Sequence, residues 1–142
     1  MLDQNDAGGF DGPHRPRSGK TAVGRMLAQE LGYRFLDTGA MYRAITWLAL
    51  RRKVSIADET GLGRLAQEST IRMAGRDSHT VLVSGERVGP ELWEPQVVRN
   101  VSQVAQVPEV RRALVEQQRA LAAQGRIVMV GRDIGTVVLP NA

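Results

Sequence analysis

The chain has 142 residues, of which 42% are hydrophobic and 24% are charged, a balance typical of one globular domain with a buried core. It has no cysteine, which excludes disulfides and thiolate metal sites, and its two histidines are too few and too far apart for a histidine metal cluster. The net charge of +4 comes from 17 arginines and two lysines, but aromatic residues make up only 4% and acidic residues are spread among the arginines, which argues against a nucleic-acid surface.

The first strong motif is the Ser-Gly-Lys-Thr sequence at Ser18–Thr21. Gly-Lys-Thr at the start of a helix is the second half of a phosphate-binding loop. In such a loop, backbone N–H groups hold phosphate oxygens, the lysine reaches the terminal phosphates and the hydroxyl ligates Mg²⁺. The first half departs from the pattern G-x-x-x-x-G-K-[ST], because His14 stands where the first glycine belongs and the nearest earlier glycine is Gly12.

A helix, a short strand and a second helix follow, and this order predicts an α/β layout with a parallel sheet. The first helix is predicted over Lys20–Leu31, the strand over Tyr33–Leu36 and the second helix over Ala40–Arg51. The Asp37–Gly39 turn between them aims a carboxylate, a hydroxyl and N–H groups at one spot, and Arg43 lies one turn into the helix. An ordinary capping turn with a surface arginine is the alternative reading. The predicted buried face of the first helix consists of Val23, Met26, Leu27 and Leu31.

The middle of the chain predicts a small antiparallel meander inserted between helices. A short helix over Asp58–Gln67 precedes it, and turn residues separate its apolar stretches at 70–73, 80–83 and 87–88. Two prolines bracket the segment that contains Trp93. The helices predicted after it are Gln96–Ala105, with Val97, Val98, Val101 and Val104 as apolar positions, and Pro108–Gln124.

The apolar run Ile127–Val130 predicts a buried parallel strand, the third after those expected around Phe10 and Phe35. Gly131–Thr136 follows at its carboxyl end, where open α/β sheets bind their ligands. There Arg132 could hold an anion, and Asp133 could accept from the exocyclic amine of cytosine. An internal ion pair between these two neighbours is the alternative.

Three motifs in this order resemble bacterial cytidylate kinases, which are P-loop nucleoside monophosphate kinases. They are Leu36–Arg43, Val101–Ala105 together with Pro108–Arg111, and Gly131–Val138. The resemblance extends from about residue 18 to the end of the chain. It implies a partial P-loop kinase core, a parallel sheet flanked by helices, with an antiparallel-sheet-plus-helix insert over about residues 63–106 that binds the nucleoside monophosphate.

The resemblance implies ATP-dependent phosphorylation of CMP or dCMP to the diphosphate, in pyrimidine nucleotide metabolism, with Mg²⁺ accompanying ATP. Catalysis in such enzymes rests on positioning and charge stabilisation. The implied catalytic residues are Lys20, Arg43 and Arg132. The implied ATP-binding residues are Gly12, Ser18, Gly19, Lys20 and Thr21, with Thr21 also ligating Mg²⁺. Arg43 and Arg132 would hold the acceptor phosphate, Ser102, Arg111 and Asp133 would read the cytosine, and Thr38 and Tyr42 would shape the acceptor pocket.

The resemblance also implies a monomer whose partners are the small nucleotides ATP, CMP and dCMP, without nucleic acid. No apolar run reaches the length of a membrane span, and the polar start does not read as a signal peptide. A cytoplasmic location without membrane contact is therefore expected.

Two departures from the family pattern predict impaired turnover. His14–Arg17 replaces two small residues of the phosphate loop, Pro16 has no N–H to offer, and the missing glycine removes a position that tolerates a positive φ. The family continues after the last residue of this sequence with further sheet, an arginine-bearing lid and a closing helix, so these are expected to be absent. One alternative is a non-catalytic fragment that at most binds CMP, and another is a P-loop kinase for a different small metabolite.

Overall fold

The chain folds into five helices and two small sheets in a computed structural model that describes residues 15–132 and 134–140. The helices are α1 (Arg15–Leu31), α2 (Gly39–Arg51), α3 (Glu59–Glu68), α4 (Pro95–Ala105) and α5 (Pro108–Ala122), and a 3₁₀ turn spans Pro90–Trp93. The strands are β1 (Arg34–Asp37), β2 (Ile71–Met73), β3 (Val81–Val83), β4 (Glu86–Val88), β5 (Ile127–Gly131) and β6 (Gly135–Leu139). None of the helices in these two ranges has the length and apolar character that crossing a membrane requires.

The larger sheet has the order β1-β5-β6. Strands β1 and β5 are parallel, with Phe35 opposite Val128, which confirms the α/β class and two of the predicted parallel strands. Strand β6 returns antiparallel beside β5 after a turn in which Gly135 has a φ of +65°, a conformation that favours glycine. The sequence patterns did not predict β6, and the strand expected around Phe10 lies outside the described residues.

Helix α1 packs on this sheet through small residues. Gly24 and Ala28 are buried, one turn apart on the same face, and Ala28 belongs to a cluster with Phe35 and Val130. A Cβ at Gly24 would lie 2.6 Å from Cγ1 of Val130 and 3.0 Å from Cε1 of Phe35, so the helix backbone itself contacts the sheet. The predicted buried face is therefore wrong for three of its four residues, because this close approach selects small side chains. Those three, Val23, Met26 and Leu31, are exposed.

The smaller sheet is the predicted antiparallel meander, in the order β2-β3-β4, with Ile71 opposite Val83 and Val81 opposite Val88. The flanking helices also follow their predicted signals. Asp58 caps α3 by accepting a hydrogen bond from the N–H of Gly61 at 3.0 Å, and α5 begins with Pro108. One apolar position predicted for α4 is wrong, since Val98 is 48% exposed.

The loop between β2 and β3 pairs with the outer edge of β1. The N–H of Phe35 donates to the carbonyl of Arg76 at 2.7 Å, and the N–H of Ser78 donates to the carbonyl of Phe35 at 3.1 Å. Asp77 also forms an ion pair with Arg25 of α1, with 2.7 Å between Oδ2 and Nε. The meander is thus attached to β1 by backbone hydrogen bonds and to α1 by an ion pair.

The main core lies between α2, α3, α5 and the two sheets. Helix α2 contributes a nearly continuous buried surface, and α3 packs against α5. Burying these side chains supplies most of the stabilisation, at roughly 1.5–3 kcal/mol for each large aliphatic residue. Fully buried members include Met41, Ile45, Leu62, Leu114 and Ile127.

Candidate functional site

The Asp37–Gly39 turn forms the centre of the candidate site. Oδ1 of Asp37 accepts a hydrogen bond from the N–H of Gly39 at 3.0 Å, so this carboxylate caps the first turn of α2. The N–H of Thr38 donates to the carbonyl of Val130 at 2.9 Å, which joins the turn to the end of β5. The N–H of Asp37 donates to Oγ of Ser78 at 2.9 Å. Hydrogen bonds from three parts of the chain therefore fix the turn.

Arg43 lies one turn into α2 and is nearly buried, with a side chain only 8% exposed. Its Nη2 lies 3.6 Å from Oδ2 of Asp37, whose side chain is 15% exposed. Its guanidinium lies over the ring of Trp93, with Cζ 3.9 Å from the ring centroid. The alternative reading of a surface arginine is therefore wrong, and Arg43 is a charge held in a defined orientation beside the turn.

The glycines of the Gly131–Val138 motif lie against the Leu36–Arg43 motif and near the phosphate-loop motif. A Cβ at Gly131 would collide with Oγ1 of Thr38, so the Gly131 backbone packs directly against the threonine of the turn. A Cβ at Gly135 would lie 4.0 Å from Nζ of Lys20. One end of the β5–β6 turn therefore lies against Thr38, and the other end lies near the Lys20 ammonium. Arg132 is exposed in this turn, while Asp133 lies outside the described residues.

Two of the three residues expected to read the cytosine, Ser102 and Arg111, lie on α4 and α5. Ser102 is exposed on α4, which packs against α2, the helix that carries Tyr42 and Arg43. Arg111 is exposed on α5, and its Nη1 lies 3.5 Å from the carbonyl oxygen of Ala105. Arg111 thus reaches the end of α4, about one turn beyond Ser102. Tyr42 is half-buried and packs against the core.

The phosphate-loop motif is helical in this structure. Helix α1 begins at Arg15, five residues before the predicted start at Lys20. Because an α-helix pairs each N–H with the carbonyl four residues earlier, the N–H groups of Gly19, Lys20 and Thr21 are directed back along α1. This arrangement differs from a loop whose N–H groups converge on a phosphate. Gly12 and the side chain of Ser18 lie outside the described part of the chain.

The described residues hold no group of three or more His, Asp or Glu side chains that could bind a metal ion. A Mg²⁺ ion that accompanies a nucleotide commonly keeps several waters and takes few protein ligands besides phosphates. Thr21 is half-buried at the same end of α1 as Lys20, and its hydroxyl is of the type that ligates such an ion. The residues present therefore fit nucleotide-borne Mg²⁺.

Sequence reasoning did not find two residues at the site, Ser78 and Trp93. Ser78 reads as a turn residue of the meander, and nothing local indicates that its hydroxyl reaches the backbone of Asp37. Trp93 had one available signal, since two prolines bracket this aromatic residue. Its turn is further held by Glu91, because hydrogen bonds from the N–H groups of Glu91 and Gly89 keep the pKa of that carboxyl below its usual range.

Comparison with known proteins agrees with this geometry. A sequence profile described as cytidylate kinase matches residues 9–142 of the chain. The chain belongs to the cytidylate kinase family. The matched range includes the phosphate-loop motif, the Asp37–Gly39 turn and the Gly131–Val138 motif.

Several curated relatives share nearly half of their aligned residues with the chain. The cytidylate kinase of Pelotomaculum thermopropionicum is 48% identical over 135 residues, which cover 94% of this chain and 59% of the relative. The cytidylate kinase of Chloroflexus aggregans is 47% identical over 130 residues, covering 88% and 56%. That of Caldanaerobacter subterraneus is 46% identical over 133 residues, covering 94% and 57%. The chain thus spans less than three fifths of the length of these cytidylate kinases.

Proposed function

We propose that this chain carries the acceptor half of a cytidylate kinase: it binds CMP or dCMP, which ATP then phosphorylates. The observation that supports this most directly is that the Gly131–Val138 motif meets the Asp37–Gly39 turn and the phosphate-loop motif, with Thr38 against Gly131 and Lys20 beside Gly135. Membership of the cytidylate kinase family supports CMP or dCMP as the acceptor nucleotide.

Each residue has a proposed part in positioning the reactants. Arg43 and Arg132 hold the acceptor phosphate, and the planar guanidinium of Arg43 suits two-point contact with phosphate oxygens. Thr38 and Tyr42 line the pocket, while Ser102, Arg111 and Asp133 recognise the cytosine edge. This division agrees with the placement of Arg43 beside the turn and of Ser102 and Arg111 on the helices that follow.

The donor side consists of Gly12 and Ser18–Thr21, with Lys20 reaching the transferring phosphoryl group. Mg²⁺ bound to ATP, with Thr21 among its ligands, would supply neutralisation of phosphate charge. Little covalent chemistry falls to the protein, so the rate depends on how well these groups hold the two nucleotides in line.

A second candidate is a chain that binds CMP without efficient transfer. The observation that favours it is α1, in which the N–H groups of Gly19–Thr21 follow the helix instead of converging on a phosphate. Donor binding would then require the first turns of α1 to unwind, which lowers the affinity for ATP. CMP binding by the proposed acceptor insert, at about residues 63–106, does not depend on that unwinding.

Calorimetric titration with CMP tests the shared part of both candidates. Replacing Arg43→Gln removes charge-assisted hydrogen bonds to the phosphate and should weaken CMP binding by roughly 10- to 100-fold, with cytidine affected little. Arg51→Gln is the matched control on the same helix, because Arg51 is half exposed and pairs with Glu86 at 2.5 Å. Equal effects of the two substitutions would contradict the assignment of Arg43.

A coupled kinase assay with ATP, Mg²⁺ and CMP separates the two candidates. Turnover that Lys20→Ala abolishes would support the kinase. CMP binding without detectable turnover, together with weak ATP binding, would support the binding-only chain. Failure of the wild-type chain to bind CMP at millimolar concentration would refute both.

A further inference from the structure

Trp93 has an unusual environment for a side chain of its size. It is 58% exposed, yet one face of its ring lies 3.9 Å from Cζ of the nearly buried Arg43. Leu92, the preceding residue, is fully buried and anchors the 3₁₀ turn, which packs against α2. The indole is therefore held on the guanidinium by its turn, although it buries little of its own surface.

Trp93 and Asp37 contact the Arg43 guanidinium at two places. The five N–H donors of a guanidinium point outward in its plane, so the direction in which they can meet a phosphate depends on how the group is held. The Trp93 ring centroid lies 3.9 Å from Cζ, and Oδ2 of Asp37 lies 3.6 Å from Nη2. These two contacts hold the position of the guanidinium.

We propose that Trp93 is a positioning residue for the acceptor phosphate: its ring holds the Arg43 guanidinium so that the N–H edge meets the phosphate of the bound nucleotide. This inference rests on the proposed function, since it concerns the same phosphate. It adds a residue outside the three motifs, and it assigns to Trp93 no contact with the nucleotide itself.

The chain contains an internal comparison for this contact. Arg51 lies over the ring of Trp47, with Cζ 5.1 Å from the ring centroid, four residues apart on the same helix α2. Arg51 is half exposed and far more hydrated than Arg43. A substitution at Trp47 therefore removes a similar pair without affecting an arginine that is placed at the site.

The size of the expected effect follows from the strength of stacking. A cation held over a tryptophan ring in a partly desolvated place contributes enough to change affinity by about 3- to 30-fold. Because Trp93 acts through Arg43, the loss should fall on the phosphate-dependent part of binding. The ratio of CMP affinity to cytidine affinity is the quantity that isolates it.

The test compares Trp93→Leu, Trp93→Phe and the control Trp47→Leu by calorimetry with CMP and with cytidine. Trp93→Leu should weaken CMP binding by about 3- to 30-fold and leave cytidine binding unchanged. Trp93→Phe, which keeps an aromatic face, should recover part of the loss, and Trp47→Leu should match the wild type. In an Arg43→Gln background, Trp93→Leu should cause no further loss. Thermal unfolding of each variant checks that the chain is folded.

The outcomes distinguish the inference from the function on which it rests. If the wild type binds CMP and Trp93→Leu binds it equally well, the inference is wrong and the proposed function stands. If Trp93→Leu weakens CMP and cytidine equally, Trp93 contacts the nucleoside and the inference is also wrong. If the wild type binds no CMP, the proposed function fails and the inference fails with it.

Discussion

Two glycines on α1 allow a direct test of how this helix lies on the sheet. Gly19 is exposed, and a Cβ there would meet nothing within 4 Å. Gly24 is buried, and a Cβ there would lie 2.6 Å from Cγ1 of Val130 and 3.0 Å from Cε1 of Phe35. The two alanine substitutions therefore share the same gain in helix propensity and differ in the steric term.

The magnitudes follow from these two terms. Replacing a helical glycine by alanine stabilises by up to about 1 kcal/mol. Inserting a methyl group into the closely packed contact at Gly24 costs about 1–3 kcal/mol. Gly19→Ala should therefore raise the free energy of unfolding by up to about 1 kcal/mol. The free energy of unfolding of Gly24→Ala should be about 1–3 kcal/mol lower than that of Gly19→Ala.

Urea unfolding followed by circular dichroism measures both variants. With a denaturant slope near 2 kcal/mol per molar, the difference between them corresponds to roughly 0.5–1.5 M in the midpoint. Truncating the opposing side chain in Gly24→Ala/Val130→Ala should give a double-mutant coupling of similar size. Equal midpoints for the two alanine variants would refute the packing of α1 described above, and destabilisation by Gly19→Ala would refute its helical start.

Three further predictions concern the turn, the β5–β6 glycine and pH. Ser78→Ala leaves the N–H of Asp37 without its acceptor and should lower stability by about 1–3 kcal/mol in chemical unfolding, and an unchanged midpoint would contradict it. Gly131→Ala should weaken CMP binding measurably by calorimetry, because the new methyl group displaces Thr38; wild-type affinity would show that the two do not touch. The carboxyl of Glu91 has a pKa below its usual range, so its contribution to stability is present at neutral pH and is lost as the pH falls through that lowered value. Glu91→Gln should therefore reduce the acid dependence of thermal stability, and identical pH profiles for variant and wild type would refute this.

Local chemistry made much of the fold predictable. Asp58 and Pro108 mark helix starts, and the turns of the meander separate short β-branched stretches, so these elements follow from neighbouring residues alone. The Asp37–Gly39 turn was predictable in the same way, because the Asp37 carboxylate accepts a hydrogen bond from the first N–H of the helix that follows. Arg43 was predicted as a site residue from the resemblance of the Leu36–Arg43 motif to cytidylate kinases, since its place in the helix alone left a surface arginine as the alternative.

Contacts between distant segments were not predictable in the same way. The face that α1 buries depends on how closely the helix approaches the sheet, and apolar periodicity does not report this distance. Gly24 and Ala28 are small, and they permit an approach that Val23 and Met26 would prevent. Likewise, the stacking of Trp93 on Arg43 joins residues 50 positions apart, which no local pattern records.

The pairing of residues 76–78 with β1 also bears on association between chains. A strand edge with open N–H and carbonyl groups is a template for pairing with another molecule, and here the meander loop covers the outer edge of Arg34–Asp37. Deleting the meander from the chain would therefore leave the outer edge of β1 unpaired next to the candidate site. Such a shortened chain should self-associate through β1, so the insert protects the molecule against aggregation as well as carrying part of the proposed nucleotide site.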